Sequence, residues 1–509
     1  MRNENEFLGK ESVGKLLFKL AIPAITAQII NLLYNVVDRI YIGHIPEIGS
    51  LALTGVGVCL PVIMIISAFA ALVSMGAAPN SSIYMGKKDN ETAEKIMGNS
   101  FVLLIIISVI LTIALLIWKE DLLLIFGASE NTIDYSTNYM TIYAIGTLFV
   151  QIALGMNAFI TAQGFAKYSM FTVLIGAIVN IILDPIFIFG LNMGVEGAAL
   201  ATIISQGISA LWVILFLISK KSTLKLKINN FKINYKVILP CIALGIAPFI
   251  MQATESVLMV CFNSSLQKYG GDLAVGAMTI LISVMQFSML PLQGLSQGAQ
   301  PIISYNYGAK NSKRVKSCFF LLLIASTIYS TLIWMIVMIF PKLLPSVFSD
   351  NEELINYASW AIKLYMMVSF AMGVQIACQM TLISIGNAVA SVIVAIVRKI
   401  VLLIPLIYLM PLIFGYETKF IYLAEPVADA FAITFTIVLF IIQFRKCLKN
   451  IDSTKQEVNI WWCGSVMSFG KSKKLVFIII FNHPISIYSL NNIKYKCYKM
   501  YIKIVYQEL

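Results

Sequence analysis

The chain has 509 residues, of which 59% are hydrophobic and only 12% charged, with a formal net charge of +12 and a strongly positive mean hydropathy. Such a composition excludes a soluble globular protein and describes a chain that crosses a bilayer many times. The basic excess then reads as membrane topology and contact with anionic lipid, which excludes nucleic acid as a partner.

Residues 1–10 are polar and do not form a secretory leader. Apolar runs of roughly 20 residues, long enough to cross a ~30 Å hydrocarbon core as helices, then recur along the chain. They number twelve, at about 16–43, 51–79, 96–118, 135–160, 168–190, 195–219, 237–264, 273–299, 317–341, 355–383, 388–413 and 420–444. The runs are continuous rather than alternating, so helices are expected and not a barrel.

Polar residues interrupt these spans in a patterned way. Span 1 carries Gln28, Asn31, Asn35 and Asp38 at steps of 3, 4 and 3, one helix face that is unsuited to lipid. Span 4 holds Tyr139 and Asn157. In span 5, Asn180 and Asp184 are i and i+4, and Pro185 frees the carbonyl of Ile181 as an extra acceptor. Span 6 runs the other way and places Thr202 six residues inward from Glu196.

The second half differs. Glu255 lies in span 7, Gln293, Gln297 and Gln300 in span 8, Gln375 and Gln379 in span 10, Arg398 and Lys399 in span 11, and Glu425 with Asp429 one turn apart in span 12. After Lys449 the composition shifts to Lys, Asn, Ile and Tyr. The apolar run LVFIIIF at 475–481 is too short to span, so 451–509 is expected to be a poorly ordered tail.

Depth follows from the rise of ~1.5 Å per residue. Asp38 is 19 residues beyond Lys19 and Asp184 is 17 beyond Lys167, so both lie roughly 25 to 29 Å along their helices. Thr202 reaches a similar level. Two carboxylates, a carboxamide and a hydroxyl at one depth form a hard-oxygen set suited to Na⁺ or a shared proton. The competing reading is that Asp184 only caps or pairs structurally, for example with Arg39.

Basic residues sort the loops. Lys87, Lys88 and Lys95 follow span 2, six lysines occupy the connector at 220–236, and Lys310, Lys313, Arg314 and Lys316 follow span 8. The alternate loops carry acids, as in Glu120, Asp121 and Glu130, or Asp350, Glu352 and Glu353. The positive-inside bias therefore puts the N-terminus and the end of span 12 on the cytoplasmic side of the cell membrane. The eight cysteines show no metal-type spacing and are expected to serve packing, and the histidines are only His44 and His483.

The chain also repeats itself. GAAPNSSIYMGKKDN at 76–90 and GAQPIISYNYGAKNS at 298–312 stand 222 residues apart, pairing Gly76 with Gly298, Pro79 with Pro301 and Gly86 with Gly308. The same displacement pairs Phe126 with Phe348, Tyr135 with Tyr357 and Gly164 with Gly386. A shift of six helices keeps membrane orientation. The halves, 1–219 and 237–450, should thus be six-helix bundles related by a pseudo-twofold axis along the membrane normal. Span 11 does not repeat the chemistry of span 5: aligning AIV at 177 with AIV at 395 sets Arg398 against Asn180 and Leu402 against Asp184.

The order of motifs resembles the multidrug and toxin extrusion (MATE) family, in its bacterial DinF-like or MepA-like branch. The motifs are IPAITAQIINLLYNVVDRIYIG in span 1, NIILDPIFIFG in span 5, GVEGAALATIISQ in span 6, GLSQGAQPIISYNYGAKN at the end of span 8 and LAEPVAD in span 12. The resemblance covers about residues 10 to 450. It implies a secondary antiporter, not an enzyme, exporting lipophilic, mostly cationic compounds in exchange for Na⁺ or H⁺. It also implies that Asp38, Asn180, Asp184 and Thr202 match the family's N-lobe cation-site positions, which would hold Na⁺ if coupling is to sodium. Glu255 resembles a family acid implicated in cation or substrate binding. Equally, Glu255, Glu425 or Asp429 would neutralise Arg398.

Gln28, Asn31, Asn35, Tyr139, Asn157, Glu255, Gln293, Gln297 and Gln300 are the expected lining of a substrate cleft, where amides and a phenol suit varied hydrogen bonding. No cofactor is expected beyond the coupling ion, and the partners are small organic cations and membrane lipids, with the chain a monomer. Direct ATP drive has no GxxxxGK[ST] motif to support it. Two alternatives stand beside this reading. A lipid-linked saccharide flippase of the same superfamily would want a basic cavity, and a membrane acyltransferase would want a buried His or a nucleophile beside a base.

Overall fold

The computed structural model describes residues 6–348 and 351–466, with 452–466 described by backbone alone, and every regular element among them is helical. Twelve membrane crossings follow one another. They are α1 (Val13–Gly43), α2 (Gly49–Gly86), α3 (Asn90–Ile125), α4 (Ile133–Ala162), α5 (Ala166–Pro185), α6 (Gly194–Ile218), α7 (235–271), α8 (272–308), α9 (Ser312–Ile339), α10 (Glu352–Tyr365 with Ser369–Ser384), α11 (Ala388–Phe414) and α12 (Thr418–Val466). α7 and α8 form one unbroken run except at Gly271, whose φ of 65° turns the chain back where a side chain would be strained. α10 is bent by 51° between its two pieces. α5 and α11 each pass into a π-helical turn, Ile186–Gly190 and Val397–Leu403.

The repeat is visible in the backbone. Lys88 and Lys310 both have positive φ, 63° and 55°, and each precedes a capping residue. Asp89 accepts from the Thr92 N–H and Asn311 from the Arg314 N–H, so each helix start satisfies one of its free amides. Gly164 and Gly386, at φ 87° and 77°, shape the matching turns into α5 and α11.

Close crossings lie at the ends of the helices that carry the basic loops. A Cβ on Gly86 would overlap the Tyr305 carbonyl, and one on Gly308 would overlap that of Ile83. Residues 83 and 305 are themselves repeat mates, so the contact is reciprocal about the pseudo-twofold axis. Gly76 and Gly245 let α2 and α7 approach in the same way, while Gly294 and Gly298 bring α8 onto Ile25 and Ala21 of α1.

The apolar cores show the same asymmetry across the membrane. Near the basic loops they are shared: Leu16, Leu17 and Leu20 of α1 pack with Ile302, Val315 and Phe319 of the second half, and Ile238 and Cys241 of α7 pack with Ala93, Met97 and Phe216 of the first. At the opposite end each half keeps its own core, around Ile42, Cys59 and Tyr143 in one and around Phe262, Leu281 and Tyr422 in the other. The halves are therefore joined at one face and parted toward the other. Five cysteines, Cys59, Cys241, Cys261, Cys318 and Cys378, are buried.

The connector at 220–236 is held by the first half. Gln163 Oε1 accepts from the backbone N–H groups of Thr223 and Leu224 at 2.9 Å, and Glu94 takes the Lys225 N–H at 3.0 Å and the Lys227 ammonium at 2.6 Å. Asn99 Oδ1 accepts from the Asn234 N–H at 2.6 Å. Residues up to Lys455 form one compact unit, and Gln456 begins a second. Of the tail expected from 451 onward, 451–466 belong to the α12 helix; the remainder, including 475–481, lies outside the described residues.

Candidate cation site and cleft

Sequence and lipid set the orientation of α1 and α5. On α1 the exposed apolar residues Phe18, Ile22, Ile29, Leu33, Val36 and Ile40 form one stripe, and at 100° per residue Gln28, Asn31, Asn35 and Asp38 fall on the other side of the helix. On α5, Phe171, Ile178, Ile182 and Ile186 are exposed, and Asn180 and Asp184 lie opposite them, buried. Burying apolar stripes in lipid leaves the polar faces turned inward.

There the acids meet. The Asn180 Nδ2 donates to Asp184 Oδ1 at 3.1 Å, and the Asp38 and Asp184 carboxyls lie side by side. Three oxygens of this group are buried without a hydrogen-bond partner: Asp38 Oδ1, Asn180 Oδ1 and Asp184 Oδ2. Arg39 is exposed and forms no contact ion pair with either acid among the described residues, although its charge acts on Asp38 from a distance. Two adjacent carboxylates in a low-dielectric bundle require a shared proton or a cation between them. The donor set, hard oxygens carrying at most two charges, fits Na⁺ or H⁺, and no group of three His, Cys, Asp or Glu side chains that could hold a metal ion occurs among the described residues. The chain leaves α-helical geometry directly after Pro185, where a ring without an N–H interrupts the ladder.

Tyr139, expected in the cleft, is buried and lies beside Thr202, so α4 and α6 add a phenol and a hydroxyl next to the acid pair. Its ring stacks on Tyr143 at 6.1 Å between centroids. No spacing rule marks a lone tyrosine for this place. Asn157 is also held inside the first half, donating to the Ser169 carbonyl at 3.3 Å and accepting from the Thr172 hydroxyl at 2.9 Å.

The other polar residues differ in how far they are exposed. Asn31 is exposed although it lies opposite the lipid stripe of α1, and Gln28 and Asn35 are half-buried beside it, with Asn35 Nδ2 on the Asn31 carbonyl at 2.6 Å. Glu255 is 53% exposed, on the side of α7 away from the exposed Leu239, Ile246 and Val257. On α8, Gln293 is exposed, Gln297 half-buried, and the Gln300 Nε2 buried without a partner. Gln375 has both side-chain polar atoms unpartnered, and Gln379 contacts the Met251 sulfur at 2.8 Å.

The second half replaces the acid pair with a charge-balanced network. Arg398, on the π turn of α11, donates to Asp429 at 2.7 Å and lies 3.6 Å from Glu425, all three buried. Lys399, also buried, pairs with Glu255 at 2.9 Å. Two of the three acids weighed against Arg398 do neutralise it, while Glu255 is taken by its neighbour.

Two repeated six-helix halves, interlocked at one face and parted at the other around buried ionisable side chains, define a polytopic membrane transporter of the parallel-repeat class. The MatE family model matches residues 23–186 and again 248–409, one match in each half, and the chain belongs to that family, whose members are transporters and not enzymes. It is 26% identical over 416 residues to the multidrug export protein MepA of Staphylococcus haemolyticus, covering 82% of this chain and 91% of that protein. Among solved structures, the MATE multidrug transporter DinF-BH superimposes with a TM-score of 0.79 at 34% identity, over 85% of this chain and 96% of that one. A MATE structure in the bent conformation, 21% identical with a TM-score of 0.81, shares the fold over 89% and 99%.

Proposed function

We propose that this chain is a secondary active multidrug exporter that moves lipophilic, mostly cationic compounds out of the cell in exchange for Na⁺ or H⁺. The carrying observation is the inward-facing Asp38–Asp184 pair, with three buried unpartnered oxygens around it and no contact ion pair to either acid among the described residues. Such a pair has a use for an arriving cation that a structural ion pair lacks. Binding the ion draws α1 and α5 together, and releasing it returns the repulsion that loosens them. The similarity to MepA, a multidrug export protein, and to DinF-BH, a multidrug transporter, supports the substrate class.

The bundles 1–219 and 237–450 are the moving parts in this reading, with 220–236 as the connector on the cytoplasmic side and the chain acting as a monomer in the cell membrane. The parted face then opens outward. A basic cavity for a pyrophosphate, as a saccharide flippase would need, finds no support in Arg398 and Lys399, whose charges are already met by acids.

Dye efflux from inverted vesicles under separately imposed Na⁺ and pH gradients tests the coupling. Flux that follows one of the gradients is expected, and flux indifferent to both rejects the antiporter. Orientation is tested by single cysteines: those at 88 and 313 should react only with membrane-permeant reagents in whole cells, and one at 351 with impermeant ones.

A further inference from the structure

A recess of about 580 Å³ lies where the connector meets α3 and the start of α7, lined by Lys95, Asn99, Asn230, Lys232, Tyr235 and Lys236 among others. It is a product of the connector's attachment to the first half. Asn99 holds both sides of it, donating to the Asn230 carbonyl at 3.2 Å and accepting from the Asn234 N–H at 2.6 Å. The repeat does not contain this recess, since the displacement of 222 places Ser317 opposite Lys95 and Leu321 opposite Asn99.

The charge in the recess is unbalanced. Lys95 is met by Glu91 at 2.7 Å, and the nearby Glu94 is spent on Lys227 and the Lys225 N–H. Lys232 and Lys236 are exposed and form no ion pair among the described residues. The start of α7 adds only the positive end of its helix dipole, since Asn234 already accepts from the Lys236, Val237 and Ile238 N–H groups. Around this positive site the surface is apolar. Tyr235 is 80% exposed and Leu239, one turn further into the span, 65% exposed. A phenol ring followed by an aliphatic side chain on the same helix edge is the arrangement of a residue pair at the headgroup boundary.

We propose that this recess binds the phosphate of an anionic membrane phospholipid, with Lys232 and Lys236 on the phosphate and Tyr235 and Leu239 along the first acyl carbons. Charge selects an anion, and the flanking exposed apolar surface selects a lipid over a soluble phosphate. This inference stands apart from the transport reading, because it needs neither the coupling ion nor the substrate.

The test uses the full-length protein in nanodiscs of phosphatidylcholine doped with phosphatidylglycerol, with retained lipid quantified after extraction into detergent. Wild type should retain phosphatidylglycerol in preference to phosphatidylcholine. Lys232→Gln and Lys236→Gln should each weaken that preference about fivefold, and the double variant roughly twenty-five-fold, at about the worth of one surface lysine each. Lys167→Gln, an exposed lysine outside the recess, should leave it unchanged. Size-exclusion elution of each variant verifies folding, and dye efflux by the double variant is read separately. Equal retention of the two lipids by wild type overturns the proposal, as does full retention by the double variant. Displacement of the lipid by millimolar inorganic phosphate overturns the headgroup assignment in favour of a soluble anion.

Discussion

α5 and α11 begin alike and end with different chemistry. Each follows a glycine in the left-handed region, Gly164 or Gly386, and each passes into a π turn. Yet α5 brings Asp184 against Asp38 with no ion pair among the described residues, whereas α11 brings Arg398 and Lys399 against Glu255, Glu425 and Asp429. The repeat preserves the backbone path, because close glycine crossings and caps allow little else. It leaves side chains at one depth free to diverge. An acid pair without a counter-charge in ion-pair contact is suited to take up an ion and let it go, while a paired network ties its helices together.

The largest expected effect is at Asp184. Asp184→Asn keeps size and removes charge, so coupled export per folded molecule should be abolished while abundance stays near normal, with Asp184→Glu partly active. Transport assayed against protein quantified by gel decides this, and a normal rate from a reduced amount of protein would make α5 as structural as α11. Arg398→Gln should do the reverse. It leaves Asp429 and Glu425 buried without their partner and should cost about 3–5 kcal/mol in stability, seen as a large fall in thermal midpoint. Retained stability with lost coupling would place a working site in the second half too.

The glycine crossing offers a symmetric test. Gly86→Leu and Gly308→Leu each push a side chain into the facing carbonyl, and each should cost about 1–3 kcal/mol by overpacking. Both should widen the distance between spin labels on the two halves at the basic-loop face. Unequal widening would show that one half leads the motion. Smallest are the caps. Asp89→Ala and Asn311→Ala should each cost about 1 kcal/mol.

Only the first of these caps is sensitive to acid. The Thr92 N–H holds the Asp89 carboxyl below its usual range. Its contribution is therefore present above the ordinary carboxylate value of about 4 and is lost as pH falls through the depressed one, with Asn311 unaffected. Thermal midpoints of the two variants at neutral and acid pH separate the halves on this point.

Much of the fold is legible in the sequence alone. Hydropathy marked twelve spans because lipid demands continuous apolar helices, and a displacement of 222 residues marked the two halves. The polar faces of α1 and α5 followed from steps of three and four, and the level of Asp38 and Asp184 from counting residues out of the basic loops. One feature of the elements was not legible: the 51° bend of α10 contains no proline. The recess at the connector was hidden for a different reason. Asn99 and Asn234 are far apart in sequence, and nothing local in either announces the bond between them.

The sequence by itself therefore determined class, span number, repeat and the inward-facing polar residues, because each is set by the chain's local encounter with lipid. Only the tertiary structure decided which charges meet. It put Tyr139 beside Thr202, gave Glu255 to Lys399 rather than to Arg398, and left one oxygen each of Asp38, Asn180 and Asp184 without a partner. Those outcomes depend on how helices distant in sequence rotate and approach, at glycines whose missing side chains let backbones touch, and a pairing between two such helices carries no periodic signal in either one.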